Sequence, residues 1–267
     1  MNVAILLDTS YSTREVLDNI QKAARDFIKI LRPEDKAVIV SFNNRTVFLS
    51  GLESERKWLL SAIERASISN VDGSDMYEAV RRVTQQFFGA LKGRKAIIAL
   101  TDGMVTGRGI TAQQTLDTLQ KADTFFYPII FTTEDLRKTR KKKPVTVELL
   151  QIMADETGGR FYQGQNFLDV PISRALNLER GYYLLAYAPD EETFRSKNFN
   201  KIEIKVKRPD LKIFSRAGFF GRPDVAAKPP KRSGEYSELY EAIAAPLPNS
   251  GLNLRLTAFF GNSATDG

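Results

Sequence analysis

The 267-residue sequence predicts a doubly wound α/β domain, its sheet mostly parallel with one antiparallel edge strand, followed by a smaller antiparallel β-rich region. Three observations carry that expectation. Up to about residue 178, apolar runs of strand length alternate with segments of helical period, the pattern of a sheet covered by helices on both faces. Two of the strands are separated only by Asn43-Asn44, which is too short for a crossover helix and so demands a hairpin. After Gly181 the helical period gives way to alternation of apolar and charged residues, as in a one-sided antiparallel sheet.

Residues 2–7 (NVAILL), 36–42 (KAVIVSF), 45–49 (RTVFL), 95–100 (KAIIAL) and 124–131 (TFFYPIIF) read as strands. Four of them are almost continuously apolar, as strands buried on both faces should be. Helices are expected over residues 13–31, 53–66, 75–91, 112–122, 145–157 and 168–178. In the first, Val16, Leu17, Ile20, Ala23, Ala24, Phe27, Ile28 and Leu31 recur at three- and four-residue steps and make one buried stripe. Gly158-Gly159 marks the end of the fifth helix and a turn into a last strand at Arg160-Phe161-Tyr162. Beyond Gly181, residues 182–188, 201–208 and 211–220 are strand-like. In the second of these Ile202, Ile204 and Val206 face one way, and Lys201, Glu203, Lys205 and Lys207 the other. A Pro-containing linker at 221–234, a short helix at 236–244 and a strand at 252–260 complete the chain. The expected organisation is an α/β domain over residues 1–178 and a β-rich region over 179–267, with both ends reading as cuts in a longer protein.

The sequence has no His and no Cys. That excludes disulfides, thiolate nucleophiles, Cys- or His-based zinc and copper sites, and any triad that needs imidazole. A metal would have to be a hard cation held by oxygens, with Mg²⁺ favoured and Zn²⁺ an unexpected native occupant. No apolar run approaches the roughly 20 residues of a membrane span, and no signal peptide opens the chain. The net charge of +7 is unevenly placed: residues 134–144 hold six basic and two acidic groups, and residues 194–232 hold twelve and three. The remainder is acidic, so the basic balance belongs to one loop and one C-terminal region. The run RKTRKKK at 137–143 lacks interleaved aromatics for base stacking, and no nucleic-acid partner is expected.

Three segments sit at the C-terminal ends of predicted parallel strands or just after them, where open α/β sheets build their sites. Asp8-Thr9-Ser10-Tyr11-Ser12 follows the first strand. Gly73-Ser74-Asp75-Met76-Tyr77 opens the third helix, and Thr101-Asp102-Gly103 follows KAIIAL. Asp8, Asp102, Ser10, Ser12 and Ser74 together form an oxygen-only ligand set suited to a hard divalent ion. Each segment also has a plain structural reading. Ser12 with Glu15 is a capping-box pattern, Ser74 is an N-cap type, Asp75 suits a first helical turn, and Thr-Asp-Gly is common turn chemistry.

D-T-S-Y-S, then G-S-D-M-Y, then L-T-D-G resembles the von Willebrand factor A domain and its metal-ion-dependent adhesion site (MIDAS). The succession ADETGGRFY and GYYLLAYAP, followed by KIEIKVKRPDLKIFSRAGFF, resembles its bacterial branch. The resemblance implies a Rossmann-like fold and metal ligation by Asp8, Ser10, Ser12, Ser74 and Asp102, with Mg²⁺, or Mn²⁺ or Ca²⁺, as the ion. Ser74 stands where the family usually has Thr. It keeps the hydroxyl but loses the methyl that restrains the rotamer. The resemblance further implies a non-enzymatic adhesion module, secreted or in the cell envelope, that captures an exposed Asp or Glu of a protein partner. Two alternatives stand beside it. One is a structural A domain with an idle metal site. The other is a Mg²⁺-dependent hydrolase with Asp8 as nucleophile, disfavoured because such enzymes carry a second carboxylate where this chain has Ser10.

Overall fold

The computed structural model describes residues 1–89, 91–106, 109–131, 145–163, 189–207, 213 and 215–221. Among these a six-stranded sheet forms from β1 (Asn2–Asp8), β2 (Lys36–Phe42), β3 (Thr46–Phe48), β4 (Lys95–Thr101), β5 (Thr124–Ile130) and β6 (Tyr162–Gln163). Its order is β3-β2-β1-β4-β5-β6, and every neighbouring pair is parallel except β2 with β3. The doubly wound sheet and its antiparallel edge are thus as the sequence predicts.

Side-chain alternation along the central strands feeds two cores. Val3, Ile5 and Leu7 of β1 pack with α1 (Leu17–Ile30) and α2 (Arg56–Glu64) on one face. Ala4 and Leu6 pack on the other with α3 (Met76–Val83), α4 (Ala112–Lys121) and α5 (Val145–Thr157). Both faces of a strand are therefore buried, which is why NVAILL and KAIIAL show no polar alternation. Ile5, Leu6 and Ile97 are among the fully buried side chains, and burial of each contributes about 1.5–3 kcal/mol.

Several helices differ from expectation at their N-terminal ends. The first begins at Leu17 rather than 13, because Tyr11–Thr13 forms a 3₁₀ turn in which Thr13 Oγ1 donates to the carbonyls of Asp8 (3.0 Å) and Ser10 (2.8 Å). The N-cap is Val16, and no side chain caps it, so the Ser12–Glu15 capping box does not form. Likewise α2 starts at Arg56, since Glu53 pairs instead with Ala37 in an antiparallel bridge. The helix expected over 75–91 is regular only to Val83 and continues as a π-helical turn, Thr84–Phe88, with Gly89 N donating to Thr84 O (2.8 Å). Thr84 Oγ1 donates back to Val80 O and Arg81 O, which draws the backbone away from regular α geometry. By contrast α4 has a full capping box between Thr111 and Gln114.

A second, two-stranded antiparallel sheet pairs β7 (Phe199–Lys201) with β8 (Gly218–Phe220). It is smaller than the strands expected at 201–208 and 211–220. Val206 is exposed and Ile202 and Ile204 are only half-buried, so the apolar face that would justify a longer strand is incompletely covered among the described residues. The sheet lies against the ends of α4 and α5. Ala217 N donates to Glu156 O (3.1 Å), Arg216 pairs with Asp123 (2.5 Å), and Lys121 Nζ stands 5.0 Å from the Phe220 ring centre. Asp123 immediately precedes β5, so this contact is at the N-terminal edge of the main sheet, opposite the edge where Asp8 and Asp102 lie. The expected elements at 168–178, 182–188, 236–244 and 252–260 lie outside the described residues.

Candidate metal centre

β1 ends on Asp8, whose side chain is fully buried at the C-terminal edge of the sheet. The chain then turns sharply, and Ser10 bonds Asp8 Oδ1 twice, through its backbone N–H (3.0 Å) and through Oγ (2.6 Å). Ser12 Oγ lies 3.1 Å from Ser10 Oγ. On the other carboxylate oxygen, Oδ2 accepts from Thr101 Oγ1 at 2.6 Å and from Ser74 Oγ at 3.4 Å. Neither Ser12 nor Ser74 caps a helix. The N-cap of α3 is Asp75, which makes no side-chain cap bond, and the hydroxyls of both serines point toward the Asp8 cluster.

Asp102, the residue after β4, is also fully buried. Its Oδ1 accepts from Met104 N at 2.8 Å, an Asx-type turn that fixes the carboxylate. Gly103 N donates to Thr101 Oγ1 (3.0 Å), so Thr101 links the Asp102 turn to Asp8. Gly103 has φ +80°, and a Cβ there would lie 2.7 Å from Val147 Cγ2 of α5. Only glycine fits that turn without strain.

Further bonds lock the loops to one another. Ser74 N donates to Thr106 Oγ1 (2.7 Å) and Thr106 N to Ser74 O (3.0 Å). Asp75 N donates to Asn43 O (2.7 Å), and Asn43 Nδ2 to Thr9 Oγ1 (3.0 Å). Sequence reasoning missed Thr13, Asn43, Thr101 and Thr106 as parts of this network. Thr101 alone had a usable signal, as a hydroxyl in the last position of a strand whose next residue is a site carboxylate. The other three depend on loop proximity that spacing does not encode.

Burial pushes the Asp8 carboxyl up from 3.8 to about 7, and repulsion from Asp102 adds to the rise against the hydrogen bonds from Ser10 and Thr101. Two buried carboxylates ringed by hydroxyls are a costly arrangement without a compensating cation. The donor set is all oxygen and holds two carboxylates, which suits a hard divalent ion with room for water in its shell. Among the described residues no cluster of three or more Asp or Glu forms, so the hydroxyls must supply much of any such shell. The basic run at 137–143 lies outside the described residues. Its described flanks meet the Asp102 turn, with Phe131 N donating to Thr101 O (2.8 Å) and Thr146 Oγ1 to Gly103 O (2.7 Å).

Residues 3–104 match the family model of the von Willebrand factor type A domain, and the α/β unit has that domain's fold. The matched segment contains the loops carrying Asp8, Ser74 and Asp102. Among solved structures the chain is similar to the protein BatB from Bacteroides thetaiotaomicron, with 17% identity and TM-score 0.55, covering 67% of this chain and 98% of that one. It is similar at 17% identity and TM-score 0.55 to proximal thread matrix protein 1 from the mussel byssus, in a structure whose MIDAS motif is occupied by zinc. There the similarity covers 67% of this chain and 45% of the mussel chain. A von Willebrand factor type A protein from Catenulispora acidiphila is similar at 16% identity and TM-score 0.52, over 67% of this chain and 41% of that one. At these identities the likeness is one of fold. No curated protein matches the chain.

Proposed function

We propose that the chain is a non-enzymatic protein-binding module that holds a divalent cation at Asp8, Ser10, Ser12, Ser74 and Asp102 and uses it to capture an Asp or Glu side chain of a partner protein. The observation that carries the reading is the gathering of serine hydroxyls from two loops around a buried carboxylate that faces a second one. Bound there, the ion would supply an electrophilic centre for an external carboxylate, since neutral hydroxyls leave its positive charge only partly offset. Thr101 holds Asp8, and the Met104 amide holds Asp102, so the chain's own work is to fix the two carboxylates before any ion arrives. Mg²⁺, with Mn²⁺ or Ca²⁺ as substitutes, is the ion this hard donor set favours. The zinc in the mussel protein's MIDAS makes Zn²⁺ a necessary comparison in any titration.

Position 10 carries a hydroxyl that donates to Asp8 rather than a second carboxylate, which leaves Asp8 without the acid/base partner a phosphoryl-transfer nucleophile would use. We take residues 1–178 as the binding module and 179–267 as its β-rich extension, in a secreted or envelope protein. No helix among the described residues is long and apolar enough to cross a membrane.

Thermal melts in Mg²⁺, Mn²⁺, Ca²⁺ and Zn²⁺ against chelator test the reading. Linkage gives about 1.4 kcal/mol of stabilisation at ten times Kd, a melting rise of a few degrees for a domain of this size. That rise is expected in the native chain and should be lost in Asp8→Ala. No rise at millimolar Mg²⁺ or Mn²⁺ would leave an A domain with an idle site.

A further inference from the structure

Each of the three loops that build the candidate centre turns one large apolar side chain outward. Tyr11 lies between Ser10 and Ser12 and is 47% exposed, although Ser10 and Thr13 beside it are buried. Met104, two residues past Asp102, is 37% exposed, while Val105 next to it packs against the second core. Val71, three residues before Ser74, is 55% exposed. Its loop is pinned to the centre by Ser69 N donating to Thr9 O at 2.9 Å.

The loops that carry these side chains are braced. The Arg14 guanidinium carbon stands 4.8 Å from the Tyr11 ring centre, and Arg14 donates to the Tyr11 hydroxyl. Val71 N donates to Ser69 Oγ (3.1 Å), and that hydroxyl donates to Val71 O (3.2 Å). Met104 is tied by its N–H to Asp102 Oδ1. Backbones fixed in this way lose little further freedom on binding, and a thioether adapts its shape to what it meets. Exposed apolar side chains on the same loops as a buried polar centre match the composition of an interface, an anchoring centre with an apolar surround that keeps water out.

We propose that Tyr11, Val71 and Met104 form a specificity rim, so that the partner is a protein segment whose captured carboxylate is flanked by large apolar residues. The inference rests on the metal-dependent reading above. A carboxylate seated in the pit places its own chain neighbours, about 3.8 Å away from one Cα to the next, over the rim. An acidic residue among Gly, Ser or Lys would leave the rim wet, whereas Leu, Ile, Phe or Met would cover it.

The test is an array of short peptides, each with one central Asp or Glu and systematically varied neighbours, probed with the labelled full chain in millimolar Mg²⁺ and again in chelator. Expected are Mg²⁺-dependent binders enriched in apolar neighbours. Tyr11→Ser and Val71→Ser should each weaken the best peptides about tenfold while retaining the Mg²⁺-induced melting rise of the parent chain, a readout that also reports folding. Mg²⁺-dependent binding indifferent to the neighbours would overturn the rim and leave the metal reading standing. Absence of both Mg²⁺-dependent binding and the melting rise would overturn the two together. Mg²⁺-dependent self-association abolished by Val71→Ser would place a second copy on the rim and overturn the peptide assignment.

Discussion

Asp8 concentrates the chemistry of the molecule at a single residue. Its carboxyl is raised from 3.8 to about 7 by burial and by Asp102, so the metal-free folded state takes up a proton that the unfolded chain would have lost above pH 4. Folded-state stability from this group is fully present below about pH 4 and is lost as pH rises through 7. From 3.8 to about 7, at about 1.36 kcal/mol per pH unit, the loss is on the order of 4 kcal/mol. Denaturant melts of the metal-free chain between pH 4 and 8 should show that decline, and Asp8→Asn should flatten it. Protons compete with the cation for the same oxygens, so metal affinity should fall below pH 7. Ser74 is a second test at this scale. Its hydroxyl stands 3.4 Å from Asp8 Oδ2, and Ser74→Thr restores the methyl that restrains the rotamer. Calorimetry should find tighter Mg²⁺ binding in Ser74→Thr and roughly tenfold weaker binding in Ser74→Ala, a loss of about 1.4 kcal/mol. Asp8, Ser10, Ser12 and Asp102 were legible because each falls at a strand end or in the turn after it. That Ser12 and Ser74 turn away from their helices was not legible, since a capping serine and a ligand serine look alike in sequence.

At the level of the elements, the turn after β4 is the most constrained part of the centre. Gly103 has φ +80°, and its neighbour Val147 leaves no space for a Cβ. Gly103→Ala should therefore cost about 2 kcal/mol or more and lower the melting temperature. It should also weaken metal binding, because Asp102 rides on the same turn. The strands, the hairpin edge and burial on both faces of the sheet could be read from apolar runs and from the Asn43-Asn44 spacing, whereas the order β3-β2-β1-β4-β5-β6 could not. Helix starts could not, because Thr13 spends its hydroxyl on the Asp8 and Ser10 carbonyls and Glu53 spends its backbone on Ala37. Such tertiary bonds override a local capping pattern. The π-helical turn after α3 was equally hidden, since its cause is where one threonine hydroxyl lands.

For the whole molecule, the candidate centre and the small β7–β8 sheet occupy opposite edges of the main sheet. Gly158, at φ +77°, lets the backbone of Ser215 and Arg216 approach, and a Cβ there would lie 2.9 Å from both. Gly158→Val should unseat the small sheet, seen as faster hydrogen exchange at Ala217, while leaving the Mg²⁺-induced melting rise unchanged. The exposed Arg216–Asp123 pair contributes at most about 1 kcal/mol, so Arg216→Ala should have little effect on either readout. The uneven charge was plain in the sequence, and Phe131 and Thr146, described residues on either side of the undescribed stretch that holds the basic run, bond the Asp102 turn. If that charge steers an acidic partner, association should slow as salt rises. Whether serine hydroxyls from the β1 loop ligate a cation is tested by a Mn²⁺ titration followed by electron paramagnetic resonance. Expected is one bound Mn²⁺ per chain, displaced by Mg²⁺ and lost when Ser10 and Ser12 are both changed to Ala in a chain that still melts cooperatively. Undiminished Mn²⁺ binding in that double variant, or none in the native chain, would contradict such ligation.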